Sequence, residues 1–337
     1  MDKAYDHYAK LAKVLSENRG KFVTSELISS KTGIAREQLA KEISFLRRYG
    51  YKIGYRSDNG YKLQAATDEP VPWELDKLLR THQFGRSLLI YKQATGSTQS
   101  VAKHLAESKN APHGTVVIAK RQTLSVGRMG RTWFSPEGGL WLSIVVRPKF
   151  NVPDSTFLSL MAPVSICAAL RQATLLDVTL KWPNDLLIGG RKVAGILIDI
   201  NLMGDEISYA IIGIGINLNF ASSELIKRID LSDSTQPTTI LDESHKDTSL
   251  LTLAASVLNQ MENDYLELER DLASETKPAV LEKWKSFDHT LGRRVEVSYG
   301  NKKTKGLAFE ISEHGSLIVK LGDGSLREFN SGTLRFV

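Results

Sequence analysis

Between residues 115 and 218 the chain carries five apolar or alternating runs, at 115–120, 140–146, 180–188, 193–200 and 209–218. Short runs of this kind, broken by glycine, proline and polar clusters, read as strands. Most of the connections are too short for the crossover that parallel neighbours require, so the sheet is expected to be mostly antiparallel or mixed. Residues 156–175 make a helix between the second and third runs, and Ser97-Thr98-Gln99 opens another that extends to Ser108. Helices over 250–273 and 278–286 then close an α+β unit.

At 337 residues the chain is too long for one ordinary domain, and its two ends read differently from its middle. Residues 4–17 place Tyr8, Leu11, Ala12 and Leu15 on one helical face, and Thr24 can cap a short helix that turns at Thr32-Gly33. In the next helix, 35–49, Leu39, Ile43 and Leu46 share one face while Glu37, Lys41, Ser44 and Arg48 lie opposite. Strands at 51–56 and 61–63 flank Ser57-Asp58-Asn59-Gly60, a hairpin signal. The sum is a helix-turn-helix with a wing. Residues 1–64 hold thirteen Lys/Arg against seven Asp/Glu, which accounts for the whole net charge of +6. That asymmetry points to a polyanion, most simply DNA, with Arg36, Lys41 and Arg48 as contacts and Glu37 and Ser44 on the same face. Residues 65–72 have the composition of a linker, followed by a helix over 73–81 and a strand over 87–91. After residue 293, strands at 295–299, 304–311, 316–321 and 325–329 form a small β-barrel. The expected units are therefore 1–64, 65–72, 73–286 and 287–337.

Several chemistries are excluded. The single cysteine, Cys167, lies in an apolar segment, so no internal disulfide or multi-cysteine metal site exists. Neither a signal-peptide head nor an apolar run long enough to span a bilayer is present, and the expectation is a soluble, cytoplasmic protein with no membrane partner. The phosphate-binding Gly-x-x-x-x-Gly-Lys loop and the Gly-x-Ser-x-Gly elbow are missing, and Gly213-Ile-Gly215-Ile-Asn217 lacks a third glycine.

What remains is a constellation. Gln122-Thr-Leu-Ser125-Val126-Gly127-Arg128-Met-Gly130-Arg131-Thr-Trp133 joins two of the strands, with glycines for close backbone approach and arginines as forked donors to carboxylate or phosphate. Lys181-Trp-Pro-Asn184-Asp185 offers a cation, a turn and a carboxylate, and Arg191-Lys192-Val-Ala-Gly195 puts two cations at the mouth of a strand.

In this order the motifs closely resemble the bifunctional biotin protein ligases that also repress the biotin operon, and the tail Ser331-Gly332-Thr-Leu-Arg335 fits as well. The resemblance covers nearly the whole chain. It implies a winged helix-turn-helix, a central α+β ligase domain with a mixed sheet of class II synthetase type, and an SH3-like barrel. It also implies ATP and biotin as substrates, Mg²⁺ on the phosphates, a biotinyl-adenylate intermediate, and transfer to a lysine of the biotin carboxyl carrier protein. Arg128 and Lys192 would neutralise charge growing at phosphorus, with Asp185 as a partner for Mg²⁺. Ser97, Thr98, Gln99, Gln122, Val126, Gly127, Arg128, Lys192, Gly195 and Gly215 would hold biotin. Arg128, Arg131, Trp133, Lys192, Asn217 and Arg335 would hold the adenylate.

Two departures stand out. Ser125-Val126 replaces the family's usual Gly-Arg, and no tryptophan lies between Leu218 and Ser249 to cover an adenine, a place for which Ile240 is the aliphatic candidate. The first leaves a second reading open, a biotin-sensing repressor with impaired ligase activity. The resemblance further implies that the adenylate orders loops near 123–132 and 219–240 and promotes a homodimer across the central sheet, presenting two winged helices to operator DNA.

Overall fold

The computed structural model describes residues 5–108, 111–228, 235–300 and 302–337. The N-terminal unit runs α1 (Asp6–Glu17), β1 (Phe22–Val23), α2 (Ser25–Thr32), α3 (Arg36–Arg48), β2 (Lys52–Arg56) and β3 (Gly60–Ala65). The Thr24 hydroxyl accepts the Leu27 N–H at 3.3 Å, and α2 stops at Gly33, whose φ of 76° few other residues adopt. Leu39, Ile43 and Leu46 are fully buried beneath α3, leaving Glu37, Lys41, Ser44 and Arg48 exposed. Arg36 is exposed too, but it is paired with Glu26 at 2.7 Å. The two-residue strand β1, too short to show in the sequence pattern, completes a sheet of order β1-β3-β2. Gly60 permits that closure, since a Cβ there would fall 2.1 Å from the Val23 carbonyl oxygen.

The stretch expected to be a linker is packed. Thr67, Pro70, Val71 and Pro72 are buried, the Asp68 carboxylate accepts the Leu250 N–H at 2.8 Å, and Glu69 pairs with Lys120 at 3.1 Å. Composition marks its polar residues but not the distant groups that satisfy them. The helix expected over 73–81 lasts one turn, α4 (Pro72–Leu75). Glu262, almost fully buried, takes the N–H groups of His82, Gln83 and Phe84, so the chain bends toward that carboxylate instead of continuing the helix.

Next come β4 (Leu89–Lys92), α5 (Thr98–Ser108), β5 (Thr115–Ala119), β6 (Leu140–Val146), α6 (Leu158–Thr174), β7 (Val178–Lys181), β8 (Asp185–Ile188), β9 (Arg191–Met203) and β10 (Glu206–Ile216). Short helices α7 (Ser223–Ile226) and α8 (Ile240–Ser244) precede α9 (Leu250–Ala273) and α10 (Val280–Ser286). The seven strands form one sheet, β4-β5-β6-β10-β9-β8-β7, in which only β4 and β5 are parallel. A single strand was expected over 180–188; the structure has a hairpin, β7 and β8, turning at Trp182-Pro183, whose peptide bond is cis. Apolar residues of α5 pack with Val117, Val145 and Ile211, while α6 and α9 join the main core. The one described helix long and apolar enough to cross a membrane, Pro153–Thr174, is 72% buried inside the fold.

The C-terminal strands β11 (Arg294–Tyr299), β12 (Lys302–Ile311), β13 (Leu317–Lys320), β14 (Leu326–Phe329) and β15 (Thr333–Phe336) make an antiparallel sheet of order β14-β13-β12-β11-β15. β15 was not expected as a strand; it pairs with β11, and that pairing carries the tail back to the central unit. Trp182 is held on both sides of the hairpin turn, its N–H donating to Thr290 Oγ1 at 2.9 Å and its indole N–H to the Gly315 carbonyl at 3.3 Å.

Candidate active site

The ligand residues named from the sequence, Ile240 excepted, line one cavity of about 520 Å³: Ser97, Thr98, Gln99, Gln122, Val126, Gly127, Arg128, Arg131, Trp133, Asp185, Lys192, Gly195, Gly215, Asn217 and Arg335. Its floor is the middle of β9 and β10, where Gly195 and Gly215 are directly opposed. A Cβ at Gly215 would meet Trp133 Nε1 at 2.5 Å, and one at Gly195 the same indole at 3.0 Å. The two glycines therefore make room for Trp133, which spreads over the sheet. Gly213 does the same for Gln99, whose Oε1 would lie 2.3 Å from an added Cβ.

At one end the polar side chains hold one another. Gln122 Oε1 accepts the Thr98 N–H at 2.7 Å and lies 3.1 Å from the Thr98 hydroxyl; Thr98 and Ser143 hydroxyls are 2.9 Å apart, and Ser143 donates to Gln99 Oε1 at 3.2 Å. Gln99 Nε2 donates to Asp199 at 3.0 Å and to the Ile211 carbonyl at 3.2 Å. These groups, both donors and acceptors, suit a small neutral polar ligand.

At the other end the charges converge. Arg128 Nη1 donates to Asn184 Oδ1 at 3.0 Å, and Lys192 Nζ lies 2.5 Å from Asp185 Oδ1 and 5.1 Å from the Trp133 ring centre. Arginine and lysine thus meet consecutive residues of the same turn. Burial holds the Arg128 guanidinium below its ordinary value, with Asp185 acting against that and Arg131 adding to it. Arg131 reaches the C-terminal sheet, donating to Thr333 Oγ1 at 3.3 Å. Two buried polar atoms in the cavity wall, Trp133 Nε1 and Asn217 Oδ1, have no hydrogen-bond partner among the described residues. One donor and one acceptor left this way inside a pocket are what a ligand would satisfy.

Lys181, in sequence no more than the cation that opens its motif, gains its place from the fold. It is almost fully buried, donates to Thr235 Oγ1 at 2.6 Å and lines the cavity. Burial foremost, then Lys192, Arg335 and Arg131, lower its pKa from 10.5, opposed by Asp185. Ser143 in β6, which lines the cavity, and Ser135, which bridges to Gln122 behind it, were also missed; isolated serines carry no signal before the fold brings them together. Ile240 does not do what was expected of it. It is fully buried in the main core and absent from the cavity wall, where Leu225 and Pro237 stand instead. The helical spacing that opens α8 turns Ile240 inward. Of the loop 219–240, residues 229–234 lie outside the described residues.

No group of three or more His, Cys, Asp or Glu side chains capable of holding a metal occurs among the described residues. The donor set nonetheless suits Mg²⁺ brought in on phosphates, which needs only one or two protein carboxylates. Asp185 is the carboxylate in the cavity wall, with Lys192 on its Oδ1, and the neighbouring Asn184 amide oxygen accepts from Arg128.

Residues 91–217 match the biotin/lipoate A/B protein ligase family, and residues 290–334 match the biotin protein ligase C-terminal domain. The bifunctional ligase/repressor BirA of Bacillus spizizenii is 31% identical over 93% of this chain and 94% of its own length. The protein of the same name from Escherichia coli is 28% identical over 94% of this chain and 93% of its own. Among solved structures, a biotin protein ligase from Aquifex aeolicus in complex with biotin and ATP has a TM-score of 0.60 at 31% identity, covering 74% of this chain and all of the other.

Proposed function

Because the chain belongs to the biotin protein ligase family, matching a bifunctional ligase/repressor at 31% identity over 93% of its length, we propose that it couples biotin to ATP and transfers the acyl group to a protein lysine while also repressing transcription. The observation that carries the ligase half is the meeting of Arg128 and Lys192 on Asn184 and Asp185 at the charged end of the cavity. Biotin's ureido ring occupies the Thr98–Gln122–Ser143 end, and its carboxylate reaches Arg128 and Lys192. The carboxylate oxygen attacks the α-phosphorus of ATP, pyrophosphate leaves, and biotinyl-5′-AMP results. Bringing two anions together demands fixed positive charge in a site that excludes water, which these side chains and Arg131 provide. The attacking amine of the biotin carboxyl carrier protein then displaces AMP from the acyl carbon. Mg²⁺, bound by Asp185 and the phosphates, would further offset phosphate charge. Trp133, Asn217 and Arg335 hold the adenylate, the orphaned Asn217 oxygen taking a donor such as an exocyclic amine.

The units 1–64, 73–286 and 287–337 are read as a winged helix-turn-helix, a synthetase-like ligase domain and an SH3-like barrel. The exposed face of α3 supports the first reading: Lys41 and Arg48 stand with Glu37 and Ser44 opposite a buried apolar stripe, the arrangement that enters a major groove. Arg36 must exchange its contact with Glu26 for phosphate. A homodimer across the central sheet, promoted by the adenylate, would pair two such helices on a two-fold operator.

Biotin-dependent exchange of pyrophosphate into ATP, together with adenylate-dependent retention of the biotin operator, tests both halves. Absence of exchange with biotin still bound would leave only a sensing repressor. The lowered Lys181 pKa adds a pH signature. As pH rises the ammonium loses its proton below 10.5, removing positive charge from the phosphate end. KM for ATP should therefore climb on that alkaline limb, and in Lys181→Gln it should be raised already and flat across the same range.

A further inference from the structure

We propose that the Ser125 hydroxyl is a positioning residue that latches the cavity loop shut at its base and thereby fixes Gln122 and Trp133 for biotin. The proposal rests on the ligase reading of this cavity. A glycine at position 125 would leave the base of the loop without a side-chain bond.

Four residues, Gln122, Ser125, Trp133 and Ser135, meet through side chains and backbone. The Ser125 and Ser135 hydroxyls are 2.8 Å apart, and Ser125 Oγ donates to the Trp133 carbonyl at 2.6 Å. Gln122 Nε2 donates to Ser135 Oγ at 3.0 Å. Both serines are nearly inaccessible, at 7% and 1% exposure, so water does not compete for them. Gln122 donates to Ser135 and Ser125 donates to the Trp133 carbonyl, which leaves the Ser135 proton for Ser125 or for that same carbonyl at 3.3 Å, so both serines close on Trp133. Gln122 is left with its Oε1 committed to Thr98, so the ligand-facing amide cannot flip. The backbone follows the same line, with Trp133 N–H donating to the Ser125 carbonyl at 3.0 Å and Gly127 N–H to the Arg131 carbonyl at 2.7 Å. Beyond this base the loop is exposed: Val126, Met129 and Arg131 line the cavity yet remain accessible to solvent.

A loop braced by its own side chains gives up less conformational entropy when a ligand arrives. Biotin binding therefore gains from Ser125, and the ordering that the adenylate would otherwise impose on this loop is partly present beforehand. Val126 takes no part in the latch and bridges to Thr132.

The test uses the full chain with Ser125→Ala, Ser125→Gly and Ser135→Ala. Trypsin cleavage at the exposed Arg131 reads the loop without reference to activity, and KM for biotin and for ATP are measured separately. Loss of one buried hydrogen bond should raise both the cleavage rate and KM for biotin by about tenfold in Ser125→Ala and Ser125→Gly, with KM for ATP rising less, because the latch meets the adenylate only through Trp133, and kcat staying within about twofold. Ser135→Ala, which breaks the same chain one step earlier, should do likewise and serves where a Ser125 variant does not fold. Unchanged cleavage and biotin KM in both alanine variants overturn the latch, as does an effect confined to Ser125→Gly, which would assign the change to backbone freedom. If the unsubstituted chain shows no biotin-dependent exchange, the ligase reading fails, while the cleavage rates still decide the latch.

Discussion

Lys192→Ala should lower biotin-dependent pyrophosphate exchange by about 10²–10³-fold, the usual cost of removing one group aimed at charge that develops in the transition state. Lys192 is placed for that work by its backbone as much as by its ammonium. Its N–H donates to the Gln236 carbonyl and its carbonyl accepts the Thr238 N–H, both at 2.8 Å, so the start of β9 is clamped to residues 236–238. The side chain then runs between Asp185 and the Trp133 ring. Lys192→Arg should recover little of the lost rate, because a planar fork in place of a compact ammonium must displace either Asp185 or Trp133. Thermal unfolding separates this from misfolding: the variant should melt near the parent temperature. Exchange within about threefold of the parent would remove Lys192 from the chemistry.

Gly215→Ala should weaken biotin binding by about 10²-fold without a comparable loss of stability, the scale on which a displacement near 1 Å disables a preorganised site. The added methyl would meet three indole atoms of Trp133 between 2.5 and 3.1 Å. The ring has nowhere to go, because its backbone is tied to Ser125 and its face covers Gly195 and Lys192. Trp133 must leave the sheet, and the loop carrying Arg128 leaves with it. Gly322→Ala is the matched control, since nothing lies within 4 Å of its added Cβ. Calorimetric titration with biotin reads the difference; equal affinities for Gly215→Ala and the parent would show that the ring and the loop move independently.

Much of this was legible beforehand. The helix over 250–273 and the strand over 140–146 fall where periodicity placed them, because a buried face leaves the same apolar spacing whatever it packs against. The boundaries that went astray did so for tertiary causes. Residues 73–81 lose their helix to the Glu262 carboxylate almost two hundred positions away, and 180–188 splits into a hairpin pinned by Thr290 and Gly315. β1 and β15 exist only because a partner strand is waiting for them. Ile240 shows the opposite error: residue type made it a plausible ceiling for a base, but the first turn of α8 points it into the core.

By itself, then, the chain's order of residues determined the α+β character of its middle, the charge asymmetry of its first 64 positions, and the set of side chains able to handle carboxylate and phosphate. Those properties are local, written in spacing and in functional groups. Folding alone decided that Arg128 and Lys192 meet on one turn, that two glycines are absent side chains making room for Trp133, that Lys181 is buried among like charges, and that Ser125 closes a hydrogen-bonded chain. Each of these depends on distances between residues far apart in the chain, and burial, which sets the strength of every charge and hydrogen bond involved, is a property of the packed molecule.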